Sequence, residues 1–235
     1  PVNQSIWGLL IVLFIAMVVV SQFMLTFGSD PNAKVTKKSK SPLSFHPIAL
    51  IFGLLSFVSY LVEGAVGDWS ALYLFEDKGI VIEEAVMGVM LFNGTMCIGR
   101  LLGNRLGKHL TSKQVVVGGY LLGSIAMGLI VFLPGHASMY TYLLLGISLA
   151  MIVPNLFSAM GEQNVIPMTQ AVATSTMLGY MGILMGPALI GFIAHGTSLT
   201  VAFIVLTILL VVSAGIGKYA YHLMSKDCGL SEEQI

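Results

Sequence analysis

Apolar residues in this chain form long uninterrupted runs, and short polar turns separate them. A helix needs about 20 predominantly apolar residues to cross the hydrocarbon core of a bilayer. The runs that reach this length predict seven transmembrane helices, over residues 6–27, 47–74, 84–106, 114–133, 139–160, 167–194 and 199–222. Transmembrane strands would show alternation in segments of about ten residues, and the runs lack it. We therefore predict an all-α membrane protein.

The composition supports a lipid environment and excludes several classes of function. Of the 235 residues, 56% are hydrophobic and 9% are charged, whereas soluble domains average about 25% charged residues. The 11 basic and 11 acidic residues cancel, so we expect the lipid bilayer as a partner and no nucleic acid. The two cysteines have no metal-binding or disulfide spacing. We predict no metal, no cofactor and no catalytic residues.

The basic residues predict the orientation of the helices in the membrane. Ten of the 11 Lys and Arg residues fall on one side, and only Lys78 falls on the other. Since Lys and Arg accumulate on the cytoplasmic side, we expect Pro1 outside and Ile235 in the cytoplasm. The Ser-, Lys- and Pro-rich segment between the first and second predicted helices has a composition typical of a flexible linker. The predicted units are a transmembrane helix at 1–28, a basic cytoplasmic linker at 29–46, a six-helix bundle at 47–222 and a cytoplasmic tail at 223–235.

Polar side chains inside four of the predicted helices mark a candidate site. An ionisable group at the bilayer centre is costly, and it normally faces a protein interior or a water-filled cavity. At ~1.5 Å per residue, Glu63, Asn93 and Tyr180 fall at one depth. The candidate site residues are Glu63, Asp68, Asn93, Asn155 and Tyr180.

Two alternatives accompany this site. Asn93 and Tyr180 could serve only as hydrogen-bonding groups between helices, and Glu63 could belong to a structural ion pair. Counting along the helices, however, places no Lys or Arg at the depth of Glu63, so we expect that carboxylate to have no cationic partner within the chain.

The glycines at 179, 182 and 186 predict that their helix packs closely against a neighbour.

Three segments resemble the major facilitator superfamily of transporters. The turn GRLLGNRLGKH at 99–109 is similar to the cytoplasmic signature loop of that family, with Asn104 at its aspartate position. The segment GILMGPALIG at 182–191 resembles its eleventh helix, and EGAVGDWSALYL at 63–74 resembles the seventh helix of a bacterial sugar-permease-like subgroup.

This resemblance implies that the seven helices are helices six to twelve of the family. The last six would form one half of the bundle, and the missing N-terminal half would be a partner. It also implies a location in the bacterial inner membrane, and a cytoplasmic gating loop made of Arg100, Asn104, Arg105, Gly107 and Lys108.

The function implied is secondary active transport of a small solute by alternating access, with H+ as a candidate coupling ion and Glu63 as its candidate carrier. An enzyme is not expected, because the five histidines lie at helix ends or in turns and no His-Glu-x-x-His or Gly-x-Ser-x-Gly pattern occurs. A receptor or scaffold on the same fold, which binds a solute without moving it, remains the alternative.

Overall fold

A computed structural model describes Phe14, Ile15, Val18, Leu43 and residues 45–106, 110–163 and 165–228, with no side-chain description at 104–106, 227 and 228. The chain divides into two compact units, Pro1–Lys40 and Ser41–Ile235. In the first unit, Phe14, Ile15 and Val18 are helical and exposed. The rest of the predicted first helix and nearly all of the predicted linker lie outside the described residues.

The described part of the second unit consists of helices joined by short turns. Its helices are α1 (Pro47–Glu76), α2 (Ile82–Leu106), α3 (Ser112–Phe132), α4 (Gly135–Tyr140), α5 (Tyr142–Ala150), α6 (Ile152–Glu162), α7 (Met168–Gly196) and α8 (Leu199–Cys228). Six segments of this part are long and apolar enough to cross a membrane, with α4 to α6 counting as one span over Gly135–Glu162. The all-α membrane class is confirmed, with six spans described where the sequence predicted seven over the whole chain.

The span over Gly135–Glu162 is broken where a single helix was predicted, and a proline explains one of its breaks. Pro154 has no N–H to donate to the carbonyl of Ala150, and its ring crowds that carbonyl. Accordingly α5 ends at Ala150, and α6 restarts beyond Met151. The backbone N–H and side-chain amide of Asn155 both donate to the Met151 carbonyl, at 3.2 and 2.8 Å.

Helix α1 packs against α2, α6, α7 and α8, so it lies at the centre of the unit. Its contact with α7 brings backbone against backbone. A Cβ atom on Gly182 would collide with the carbonyl of Phe57, and one on Gly186 would collide with the carbonyl of Leu61. Because both pairs are spaced by four residues, one turn of each helix fits against one turn of the other. The predicted close packing of the α7 glycines is confirmed.

Lys78, the one basic residue that the sequence placed on the opposite side from the others, binds the C-terminal end of α3. Lys78 follows α1, and its ammonium group donates to the carbonyls of Val131 and Leu133, at 2.6 and 2.9 Å. These carbonyls close the last turn of α3, where a helix carries partial negative charge. Burial lowers the pKa of the Lys78 ammonium group, and the neighbouring Asp77 carboxylate opposes that shift. Lys78 therefore links the α1–α2 turn to α3.

Candidate functional site

The carboxylate of Glu63 forms an ion pair with the guanidinium of Arg100. The Arg100 Nη2 to Glu63 Oε2 distance is 3.3 Å, and the side chains are 44% and 23% exposed, respectively. The expectation that Glu63 has no cationic partner is therefore wrong. Counted from the turn that joins α1 to α2, Arg100 lies only ~7 Å farther along its helix than Glu63 lies along α1. The long arginine stem covers that difference.

Two stacked tyrosines lie beside this pair. The rings of Tyr60 and Tyr180 are 6.2 Å apart and inclined by 5°, and Tyr60 lies within electrostatic range of Glu63 and Arg100. Gly179 makes the stack possible, because a Cβ there would lie 2.7 Å from the Tyr60 ring. Sequence reasoning found Tyr180 and missed Tyr60. The missed signal was its spacing of three residues from Glu63, which places both on one face of α1.

The surface next to the ion pair is open. Gly67, one turn beyond Glu63 on α1, has no atom within 4 Å of the position that a Cβ would occupy. Asp68 is exposed on α1, ~7.5 Å along the helix from Glu63. A charged pair beside open space within a membrane span belongs against protein or water rather than acyl chains. The arrangement can therefore present hydrogen-bond donors, acceptors and an aromatic face to a small polar molecule.

The two asparagines of the predicted site bond within their own span. Asn93 donates its side-chain amide to the carbonyl of Val89, at 3.0 Å, and is exposed. It precedes Arg100 by seven residues, which places both on the same face of α2. Asn155 is half-buried, and its amide closes the break at Met151. The structure thus gathers Glu63 and Tyr180 around Tyr60, but it describes no contact between either asparagine and Glu63.

The predicted gating loop is only partly described. Arg100 lies inside α2 and pairs with Glu63. Asn104 and Arg105 lie in the last turn of α2, where side chains are not described, and Gly107 and Lys108 fall outside the described residues. The role of this loop in gating stays a prediction.

A cavity lies at the opposite end of α1 from Pro47, with a volume of about 540 Å³. Its walls include Trp69, Asp77 and His195. The indole N–H of Trp69 donates to the carbonyl of Pro187, at 3.0 Å, which ties α1 to α7 beside the internal proline of that helix. In the described residues, no three His, Cys, Asp or Glu side chains are grouped as metal ligands.

Comparisons with known proteins give named relatives. No protein-family model matches the chain. An uncharacterized MFS-type transporter of Yersinia pestis is 41% identical over 168 residues, which cover 70% of this chain and 43% of the relative. Membrane protein MosC of Rhizobium meliloti is 31% identical over 64% of this chain and 37% of its own length. The chain therefore spans less than half the length of these relatives.

Solved structures support the same fold. The fucose:proton symporter FucP of E. coli matches with a TM-score of 0.73 and 15% identity, over 89% of this chain and 54% of that chain. A second FucP structure, in the outward conformation, matches with a TM-score of 0.64 and 16% identity, over 74% of this chain and 42% of that chain. The membrane spans, the transporter relatives and the shared fold together show that this integral, multi-pass membrane protein belongs to the major facilitator superfamily.

Proposed function

We propose that the chain is the C-terminal half of a bacterial inner-membrane secondary transporter, with its C-terminus in the cytoplasm. It would correspond to helices six to twelve of the superfamily fold and work with an N-terminal half. Three facts support this: the sequence resemblances at 63–74, 99–109 and 182–191, the part-length coverage of the relatives, and the distribution of basic residues. The solute crosses by alternating access at the interface between the halves, near the bilayer midplane.

The ion pair of Glu63 and Arg100 is the observation that carries this proposal. Two opposite charges within a membrane span compensate each other while they are paired. A proton taken up by Glu63 removes the negative charge and releases the guanidinium of Arg100 for another acceptor. Solute binding and proton binding then act on the same pair, which is the requirement for coupling them.

The chemistry around the pair favours a small polyhydroxy solute. Arg100 supplies fixed N–H donors and Glu63 supplies carboxylate acceptors, which together suit hydroxyl groups. The stacked rings of Tyr60 and Tyr180 supply an aromatic face against which the apolar face of a sugar-like ring can pack. One matching structure is named as a fucose:proton symporter, and this choice of solute class agrees with that name.

The test uses the full-length protein in proteoliposomes and a panel of radiolabelled hexoses and deoxyhexoses. We expect counterflow of at least one sugar, and accumulation of that sugar when an inward proton gradient is imposed. Glu63→Gln should lose proton-driven accumulation and keep counterflow, because an amide still accepts hydrogen bonds but does not take up a proton at neutral pH. Arg100→Gln should weaken both. Glu83→Gln, at the exposed start of α2, is the matched control.

Two outcomes would overturn parts of this proposal. If Glu63→Gln accumulates solute like the wild type from acidic to neutral pH, the proton role is wrong. If sugars raise the melting temperature but no counterflow occurs, the protein is a receptor on this fold. Recovery of the solute chemically unchanged from the vesicle lumen would support transport over an enzymatic conversion.

A further inference from the structure

Three buried hydroxyl groups lie together between α1 and α5. Ser70 and Tyr73 are three residues apart, which places them on one face of α1, and Tyr142 is the first residue of α5. All three residues are 0% exposed. The Tyr142 hydroxyl lies close to Ser70 and within electrostatic range of Tyr73. Two helices therefore place three polar groups in one part of the buried interior.

These hydroxyls have no hydrogen-bond partner among the described residues. Although Ser70 and Tyr142 approach each other, their oxygen atoms are not in hydrogen-bond geometry, and the Tyr73 oxygen is equally unpaired. Buried side-chain polar atoms nearly always have a protein or water partner, because an unpaired hydroxyl group is costly to bury. Three unpaired hydroxyls at one place indicate that they share a small partner molecule.

Packing holds both tyrosine rings, so their hydroxyls cannot turn away to other acceptors. The Tyr73 ring stacks on the Phe203 ring, with centroids 4.3 Å apart and planes inclined by 15°. Gly88 of α2 lies against the Tyr142 ring, since a Cβ there would be 3.6 Å from it. A phenol oxygen lies in the plane of its ring, and the closely packed rings therefore fix the two oxygen positions.

We propose that a water molecule is bound between α1 and α5, held by the hydroxyls of Ser70, Tyr73 and Tyr142. A buried water typically makes about three hydrogen bonds to groups that are otherwise unsatisfied, and this cluster offers three. Each hydroxyl can donate or accept, so it matches either end of a water molecule. A sodium ion fits less well, because the Lys78 ammonium group already lies 5.4 Å from the centroid of the Tyr73 ring and repels a second cation.

Tyr120 of α3 provides a matched contrast, because its hydroxyl is satisfied by protein groups. It is also 0% exposed. Its hydroxyl donates to the carbonyl of Leu55, at 2.7 Å, and lies 2.8 Å from the hydroxyl of Ser59, from which it accepts. A buried tyrosine with two such bonds needs no water.

The first test is X-ray radiolytic labelling of the full-length protein in detergent, in water enriched in oxygen-18. A water bound beside a buried ring produces hydroxyl radicals in place, so the ring is labelled although bulk solvent does not reach it. We expect Tyr73 and Tyr142 to be labelled and Tyr120 to stay unlabelled. Ser70→Ala should lower the labelling of Tyr142, because the water loses one of its three hydrogen bonds.

The second test asks whether two of the hydroxyls depend on one molecule. Tyr73→Phe and Tyr142→Phe each remove a hydroxyl and keep the ring, and each should lower the melting temperature. If one water joins them, the loss in the double variant is smaller than the sum of the single losses, because the first change already releases the water. Ser59→Ala with Tyr73→Phe is the control: Ser59 lies ~21 Å along α1 from Tyr73, so those losses should add.

The outcomes separate a shared water from a direct bond and from a cation. Labelling of both tyrosines above Tyr120, together with losses that do not add, supports the proposal. It is overturned if Tyr142 is labelled no faster than Tyr120. It is also overturned if the losses of Tyr73→Phe and Tyr142→Phe add, because Ser70 would then bond to Tyr142 directly. A melting temperature that rises with sodium but not with potassium, and only while the three hydroxyls are present, would overturn it in favour of a bound cation.

Discussion

The contact between α1 and α7 allows a quantitative prediction with a defined sign. A Cβ added at Gly64 would lie 2.8 Å from the carbonyl oxygen of Ile183, whereas an ordinary contact begins at 3.4 Å. Ile183 is four residues before Pro187, which has no N–H, so this carbonyl lacks the usual helical donor. In Gly64→Ala the backbones of α1 and α7 must separate by about 0.6 Å to reach that ordinary distance. We call this backbone-to-backbone contact of α1 and α7 the seam. A gap of that size loses a quarter or more of the dispersion energy along it.

We expect Gly64→Ala to lower the free energy of unfolding by about 1–3 kcal/mol, the usual cost of overpacking a close contact. Gly182→Ala should cost more, because its Cβ would meet the backbone carbonyl of Phe57 at still shorter range. The same exchange at Gly215 meets no neighbouring atom. There it should stabilise by roughly 0.5–1 kcal/mol, since alanine is the better helix former.

Thermal unfolding of the full-length variants in one detergent, at one scan rate, measures these differences. A change of 1 kcal/mol corresponds to about 2–4 °C in melting temperature for 150–250 residues, and the shift is smaller for the longer full-length protein. The two seam variants should melt below the wild type, and Gly215→Ala should melt at or above it. If Gly64→Ala and Gly215→Ala shift the melting temperature in the same direction and by the same amount, the backbone-to-backbone seam is not a feature of the folded protein.

Three further predictions concern polar contacts. Lys78→Met should lower stability by about 1–3 kcal/mol, because two charge-assisted hydrogen bonds to carbonyls at the end of α3 are lost; an unchanged melting temperature would contradict the capping role, and Lys226→Met is the control. His136→Ala should change stability by less than about 1 kcal/mol, although its Nε2 lies 2.7 Å from Glu84, because both side chains are at least half exposed; a larger loss of melting temperature would show that the pair is shielded from water. Trp69→Phe should cost about 0.5–1.5 kcal/mol through the hydrogen bond to the Pro187 carbonyl, and equal melting temperatures would exclude that bond.

Features that depend on the local sequence were predictable. Long apolar runs give membrane spans whatever their neighbours are, because no other structure satisfies the backbone in lipid. The glycines at 179, 182 and 186 predicted close packing, because their spacing is itself the requirement for two backbones to approach. What the spacing could not supply was the partner: only the structure identifies Phe57 and Leu61 of α1 on the other side.

The ion pair shows why the site was harder to predict. Depth along a helix was counted at the Cα atoms, which placed Arg100 near the basic end of the helix predicted at 84–106 and left Glu63 without a cation. The guanidinium lies far from its own Cα, so side-chain reach rather than sequence distance decided the contact. Tyr60 was missed because tyrosine in an apolar run is typical of packing, and only the stack with Tyr180 marks it as part of the site.

The contacts at the site differ in what can change them. The seam of α1 and α7 is made by backbone atoms, so no protonation and no solute can weaken it selectively. The contact of Arg100 with Glu63 depends on charge, and one proton removes that charge. We therefore expect α1 and α7, with Tyr60 and Tyr180 stacked between them, to act as a fixed wall. If the protein works as the proposed transporter, Arg100 of α2 is then the group expected to exchange partners, and the charge on Glu63 would decide when it does so.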